Sequence, residues 1–155
     1  MTHLQEGQQA PVFSGNNQDG KRISLTDYSG KKVVLYFYPK DMTPGCTTES
    51  CNLRDNYALL QENGIEIIGV SADSEERHQK FIGKYDLPFD LIADVDKEII
   101  NQYGVWGPKK FMGREFDGIH RVTFVISENG EIEHVINKVK TKEHAEQILA
   151  LINNK

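Results

Sequence analysis

Val33-Val34-Leu35-Tyr36-Phe37-Tyr38, followed directly by Pro39-Lys40-Asp41-Met42-Thr43-Pro44-Gly45-Cys46-Thr47-Thr48-Glu49-Ser50-Cys51, is the stretch that decides how this chain folds. The first six residues are apolar, with β-branched and aromatic side chains, and read as a buried strand. The Pro- and Gly-bearing segment after them breaks that strand. Thr43 is a good N-cap and Pro44 suits the first helical position, so a helix is expected from there, with Cys46 in its first turn. Unpaired N–H groups and the positive end of the helix dipole favour an anion at that position. The thiolate is the nucleophilic form of cysteine, and both cysteines of the chain lie in this segment. The segment is a site for sulfur chemistry.

Strands and helices alternate outward from it. The helix is expected to run to about residue 62, where Asn63-Gly64 ends it, and residues 65–71 form the next buried strand. Ser74 caps a helix to about residue 85, with Glu75 and Glu76 in its first turn as the dipole favours. A short strand over 89–92 and a short helix over 96–103 follow. Residues 121–126 and 132–137 flank Ser127-Glu128-Asn129-Gly130-Glu131, a turn-forming cluster that predicts a hairpin. A last helix over 143–152 has Ala145, Ile148, Leu149 and Ile152 at helical spacing. The pattern predicts a mixed sheet with helices on both faces, a three-layer α/β sandwich.

Bulk properties narrow the chemistry. A chain of 155 residues with no repeat, linker or low-complexity tract is expected to form one domain over 1–155. The net charge of -5 argues against nucleic acid as a partner, and Lys31-Lys32 and Lys109-Lys110 read as solvated surface pairs. The first residues lack the apolar segment of a secretory signal, and no apolar run is long enough for a membrane span. The expected location is therefore cytoplasmic, where two cysteines serve redox or metal chemistry more readily than a permanent disulfide. His78, His120, His134 and His144 lack ligand spacing with either cysteine, which argues against zinc. Trp106 and Phe111 read as core or pocket wall, and no Gly-rich phosphate loop is present.

Pro39-x-x-x-Thr43-x-x-Cys46 resembles the active-site signature of the peroxiredoxins, the cysteine-dependent peroxidases. Cys51, five residues on, resembles the second cysteine of the bacterioferritin comigratory protein, or peroxiredoxin Q, subfamily. Gly104-Val105-Trp106-Gly107, Phe111-Met112-Gly113 and Gly118-Ile119-His120-Arg121-Val122-Thr123-Phe124 resemble segments of that subfamily in the same order. The resemblance spans nearly the whole chain and implies the thioredoxin fold. It implies that Cys46 attacks a hydroperoxide and becomes a sulfenic acid, and that Cys51 resolves it to an intramolecular disulfide. A thioredoxin-like dithiol would then restore both thiols. No cofactor or metal is needed, because sulfur carries the electrons.

The same resemblance places Thr43 and Arg121 in the site. A fixed guanidinium can favour the thiolate and hold peroxide oxygens with a planar fork. Glu49 matches a polar supporting position that orients the arginine; read alone it is equally an exposed helix carboxylate. Pro39 shapes the pocket, and backbone N–H groups near Gly45 and Cys46 can polarise the O–O bond. Geometry raises one difficulty. Five residues of helix separate Cα atoms by about 8.6 Å, and a disulfide needs less than about 7 Å. Either the helix unwinds locally, which Thr47, Thr48 and Ser50 would permit, or Cys51 pairs elsewhere. An internal disulfide removes one reason for an obligate dimer, so a monomer is expected. The rival readings are a thiol–disulfide oxidoreductase, disfavoured by the wide cysteine spacing, and a non-catalytic redox-sensing or chaperone-type binding protein.

Overall fold

Residues 33–38 are buried at every position, and their side chains alternate between two cores. Val33, Leu35 and Phe37 enter one, Val34, Tyr36 and Tyr38 the other. A strand apolar on both faces must be covered on both faces, which fixes it in the middle of a layered fold. The computed structural model describes residues 2–153. Its elements are β1 (Ser14–Asn16), β2 (Arg22–Ser24), a 3₁₀ turn (Leu25–Tyr28), β3 (Lys32–Phe37), α1 (Pro44–Asp55) and α2 (Tyr57–Glu62). They continue as β4 (Ile65–Ser71), α3 (Glu75–Tyr85), β5 (Asp90–Ala93), α4 (Glu98–Gln102), β6 (Trp106–Phe111) and β7 (Arg114–Ile119). The last are β8 (Val122–Ile126), β9 (Ile132–Ile136) and α5 (His144–Asn153).

The central sheet runs β5-β4-β3-β8-β9. β3 pairs in parallel with β4 and antiparallel with β8, so the expected mixed sheet is present. Leu53 of α1, Leu60 of α2, Phe81 of α3 and Ile148 of α5 pack one face together with Tyr36 and Tyr38. Ile99 and Ile100 of α4, Phe13 and Tyr103 cover the other face. Each such aliphatic or aromatic side chain contributes about 1.5–3 kcal/mol by burial. Gly69, opposite Tyr36 in the register, is required there: a Cβ would sit 2.8 Å from the Tyr36 ring. The ring lies across the bare backbone, and its hydroxyl meets Ser50 Oγ at 2.9 Å, fixing α1 over the sheet.

Several expected elements differ in detail. The helix expected to reach residue 62 breaks at Asn56, whose side-chain amide donates to the Asn52 carbonyl at 2.9 Å. The backbone N–H of Asn56, displaced from that acceptor, bonds Leu53 O instead. The short helix starts at Glu98, later than expected, because Lys97 takes a left-handed conformation. Two hairpins went unread, β1–β2 and β6–β7. β7 is exposed at Arg114, Glu115, Phe116 and Asp117, and Gly107, Pro108 and Gly118 interrupt any alternation, so no period-2 signal exists. Ser74 caps α3 as expected, its hydroxyl accepting from Arg77 N at 3.2 Å. Asn52 ties α1 to α5. Its Oδ1 accepts from Ala145 N at 2.7 Å, and its Nδ2 donates to Lys142 O at 3.0 Å and Glu146 Oε1 at 3.2 Å.

Candidate active site

β3 delivers the chain to the site through a loop that a buried polar network holds. The Tyr38 hydroxyl donates to Asp41 Oδ1 at 2.6 Å, and Asp41 N donates to Asp73 Oδ2 at 2.8 Å. Asp41 Oδ2 lies 2.6 Å from His78 Nδ1, while His78 Nε2–H donates to Ile92 O at 2.9 Å. These bonds fix the loop around Met42, which adopts a φ of 69°. Asp41, Asp73 and His78 bring ligand-type atoms within 4.8 Å of one another. Those atoms are already taken, Asp73 also accepting from Ser71 Oγ at 2.6 Å and Arg77 Nε at 2.9 Å. The cluster latches the loop.

Thr43 ends this loop with extended backbone, and its carbonyl accepts the first helical bond from Thr47 N at 2.9 Å. Its hydroxyl was expected to cap α1; instead it donates to Lys40 O at 2.7 Å. The hydroxyl proton is spent, so Thr43 Oγ1 meets a ligand only as an acceptor. Pro39 and Gly45 are half-buried beside it.

Cys46, on the first turn of α1, is 1% exposed. Arg121, in the junction between β7 and β8, reaches it: Nη2 donates to Cys46 Sγ at 3.3 Å. Nη1 donates to Glu49 Oε1 at 2.7 Å. Cys46 and Glu49 are three residues apart, hence on one face of α1, and a single guanidinium spans both. Gly45 eases the approach, since a Cβ there would lie a tight 3.1 Å from Arg121 Nη2. Burial works against Arg121's charge, and Glu49 and Cys46 hold it in place. Glu49 is fully buried, not the exposed carboxylate that was equally open; burial raises its carboxyl from 4.5 to about 7 despite Arg121's charge and hydrogen bond.

Cys51 is half-buried five residues on, in the same unbroken helix, and both cysteines are free thiols. Burial and Asp55 raise its thiol above the ordinary value, against the opposing pull of Arg54. Cys51 is therefore kept protonated, in its less nucleophilic form.

Two further residues beside the candidate site carried no signal in the sequence. Lys109, expected on the surface, is half-buried; its Nζ donates to Ile119 O at 2.9 Å. Burial, then Arg121's charge, lowers its ammonium below the ordinary value, while Cys46 acts the other way. Only the β6–β7 pairing, invisible in the sequence, brings it there. His144, read only as a poor zinc ligand, is buried behind Glu49, with Nε2 3.5 Å from Oε2. Its place at the head of the last helix gave no sign of this. Lys32 is also half-buried rather than solvated, paired with Glu128 and Glu133. Trp106 packs against the core as expected. The Phe111 side chain lies outside the described residues.

The model of the AhpC/TSA family matches residues 6–135 of this chain. Peroxiredoxin Bcp of Escherichia coli is 46% identical over 149 residues, covering 96% of each chain. The solved structure of a PrxQ cysteine-to-serine variant from Xylella fastidiosa superposes with a TM-score of 0.91 at 29% identity, covering 98% of this chain and 97% of the other. The Xanthomonas campestris bacterioferritin comigratory protein, solved in work on its alkyl peroxide reduction, gives a TM-score of 0.85 at 33% identity over 92% and 90% of the chains. The fold is the thioredoxin fold of these neighbours.

Proposed function

The chain belongs to the AhpC/TSA family, as a thiol-dependent peroxidase of the Bcp peroxiredoxin group, and we propose that it reduces hydrogen peroxide and alkyl hydroperoxides through Cys46 and Cys51. The observation that carries this reading is the Arg121 guanidinium, with one N–H on Cys46 Sγ and the other on Glu49. The Cys46 thiolate attacks the nearer peroxide oxygen, the O–O bond breaks, and the departing hydroxide or alkoxide takes up a proton. Sulfur loses two electrons and becomes a sulfenic acid. Arg121 and the first-turn N–H groups of α1 stabilise the charge that develops on the leaving oxygen. Thr43 Oγ1, its own proton given to Lys40 O, accepts the hydrogen of the hydroperoxide. Pro39 walls the pocket.

Cys51 then condenses with the sulfenic acid, releasing water and forming the Cys46–Cys51 disulfide. A thioredoxin-type dithiol reduces that bond by exchange. Closing it requires α1 to open, because helical spacing holds the two positions about 8.6 Å apart. That Thr48 Oγ1 bonds the Pro44 carbonyl at 2.9 Å supports a first turn that opens readily, since the hydroxyl competes for a backbone acceptor. The protein acts as one cytoplasmic domain and a monomer.

Peroxide consumption coupled to thioredoxin and its reductase tests the reading, with mass spectrometry of the peroxide-treated protein. A peptide pair joined through Cys46 and Cys51, two hydrogens lighter, is expected. Cys46→Ser should abolish turnover; retention of more than a few per cent would overturn the assignment of the nucleophile.

A further inference from the structure

Glu49 Oε1 accepts from Arg121, but Oε2, buried on the same carboxyl group, accepts no hydrogen bond from any described residue. A buried acceptor left bare costs about 1–3 kcal/mol. His144 Nε2 lies 3.5 Å from Oε2 and is also fully buried.

The protons around that ring can be counted. Lys140 N can only donate, and it donates to Gln147 Oε1 at 3.1 Å; Lys138 O can only accept, and it accepts from Gln147 Nε2 at 2.9 Å. The Gln147 amide is thereby fixed, with its oxygen facing His144 Nδ1 at 3.0 Å. Nδ1 must carry the hydrogen. In the neutral ring Nε2 is then a lone pair, accepting from Thr123 Oγ1 at 2.8 Å. An ionised Oε2 would face that lone pair, acceptor against acceptor. That lone pair is taken by the Thr123 hydroxyl, so the ring offers Oε2 no donor, and the carboxyl avoids the clash of acceptors by keeping its own proton.

We propose that His144 is a positioning residue for the peroxidase reaction: its ring, locked neutral between Gln147 and Thr123, faces Glu49 Oε2 with no hydrogen to donate and so disfavours the carboxylate, which leaves the charge of Arg121 to Cys46. Two acids, Cys46 and Glu49, share one guanidinium, and ionisation of both would leave a buried excess of negative charge. A neutral Glu49 removes the competitor yet keeps Oε1 as the acceptor that aims Arg121. The surroundings agree. Glu49 is faced by Arg121 ahead of β8, Tyr36 from β3, His144 from α5, and Cys46 and Ser50 on its own helix. Burial raises its carboxyl to about 7. His144 is faced by Glu49, Arg121, Thr123, Gln147 and Glu146. Burial first, and Arg121's charge with it, lowers its ring from 6.5 to about 4, so it stays neutral and accepting.

The inference rests on Cys46 as the attacking thiol, but its first test needs no peroxide. In protein carrying ¹³C-labelled glutamate, the Glu49 carboxyl resonance should titrate near neutrality, and in His144→Leu it should move to lower pH. Iodoacetamide alkylation of Cys46, read in the Cys51→Ser background at pH 6.5, should slow roughly fivefold in His144→Leu, the scale of one buried polar contact. In the Glu49→Gln background the same His144 substitution should leave the pH dependence of alkylation where it was. A Glu49 resonance that stays a carboxylate throughout the neutral range in the unmodified protein overturns the proposal. So does an equal His144→Leu effect with and without Glu49→Gln, which would mark packing alone. If Cys46→Ser kept peroxide turnover, the nucleophile would be misassigned while the Glu49 titration stood, so the two failures are distinct.

Discussion

Replacing Glu49 by glutamine should make this fold progressively more stable than wild type as the pH rises. Burial raises the Glu49 carboxyl from 4.5 to about 7, overcoming the opposing charge and hydrogen bond of Arg121. A group raised in this way contributes its full stability below its unfolded value, and that contribution is lost as pH rises through the folded value. Wild type therefore loses stability between about pH 4.5 and pH 7 at this one residue. The gap is 7 − 4.5, about 2.5 pH units. At about 1.36 kcal/mol per unit it amounts to about 3 kcal/mol, a large share of a domain's roughly 5–15 kcal/mol. Glutamine keeps the shape and an oxygen for Arg121 Nη1 but cannot ionise. The difference between variant and wild type should grow by about 3 kcal/mol across that window. His144, whose lowered ring costs stability as pH falls from 6.5 toward 4, acts at the low end of that window and in contact with residue 49, so its own titration is followed by NMR in both proteins. Urea unfolding at half-unit pH steps, read as midpoint and slope, measures the effect. Parallel stability curves from pH 4.5 to 7.5 would refute the reasoning, because Glu49 would then ionise in the folded protein as it does in the unfolded chain.

Arg121→Lys should lose at least tenfold in peroxide reduction despite keeping its charge, since one ammonium cannot reach Cys46 Sγ and Glu49 Oε1 with separate planar donors. Stopped-flow single-turnover rates measure this, and an unchanged rate would mean that Arg121 acts only as a bulk charge. Cys51→Ser should react once with peroxide and stall as a sulfenic acid captured by a sulfenate-specific reagent; repeated thioredoxin-driven turnover would demote Cys51 to an accessory. In oxidised protein, amide hydrogen exchange should speed up across residues 46–53 while β3 stays protected. Unchanged protection in a protein holding the Cys46–Cys51 bond would rule out local unwinding.

The sequence was most legible where one side chain's demands were local. Residues 33–38 are apolar on both faces, Ser74 stands ahead of Glu75 and Glu76, and Asn129-Gly130 sits between two apolar strands, so the central strand, α3 and the last hairpin could be read directly. The β6–β7 hairpin could not: it turns at Met112 and Gly113, both with positive φ, and methionine there is no turn signal. The break at Asn56 depends on one side chain winning a carbonyl from its own backbone, which composition does not reveal. Within the candidate site, Cys46, Thr43 and Arg121 were legible only as a family motif. The burial of Glu49 and its contact with His144 depend on α5 lying across α1, a pairing between residues about ninety positions apart.

That crossing makes the two helices mechanically inseparable. Asn52, the residue after Cys51, supplies from α1 the oxygen that caps Ala145 N, near the start of α5, and holds the Lys142 carbonyl as well. A first helix that uncoils far enough to bring Cys51 to Cys46 pulls this amide out of the last helix. If the proposed disulfide forms, the energy needed for uncoiling includes some fraying at the start of α5, and re-forming the cap helps drive α1 shut once the thiols are free. The amide of Ala145 is thereby placed as a remote gauge of α1, reporting whether that helix is wound without itself touching sulfur.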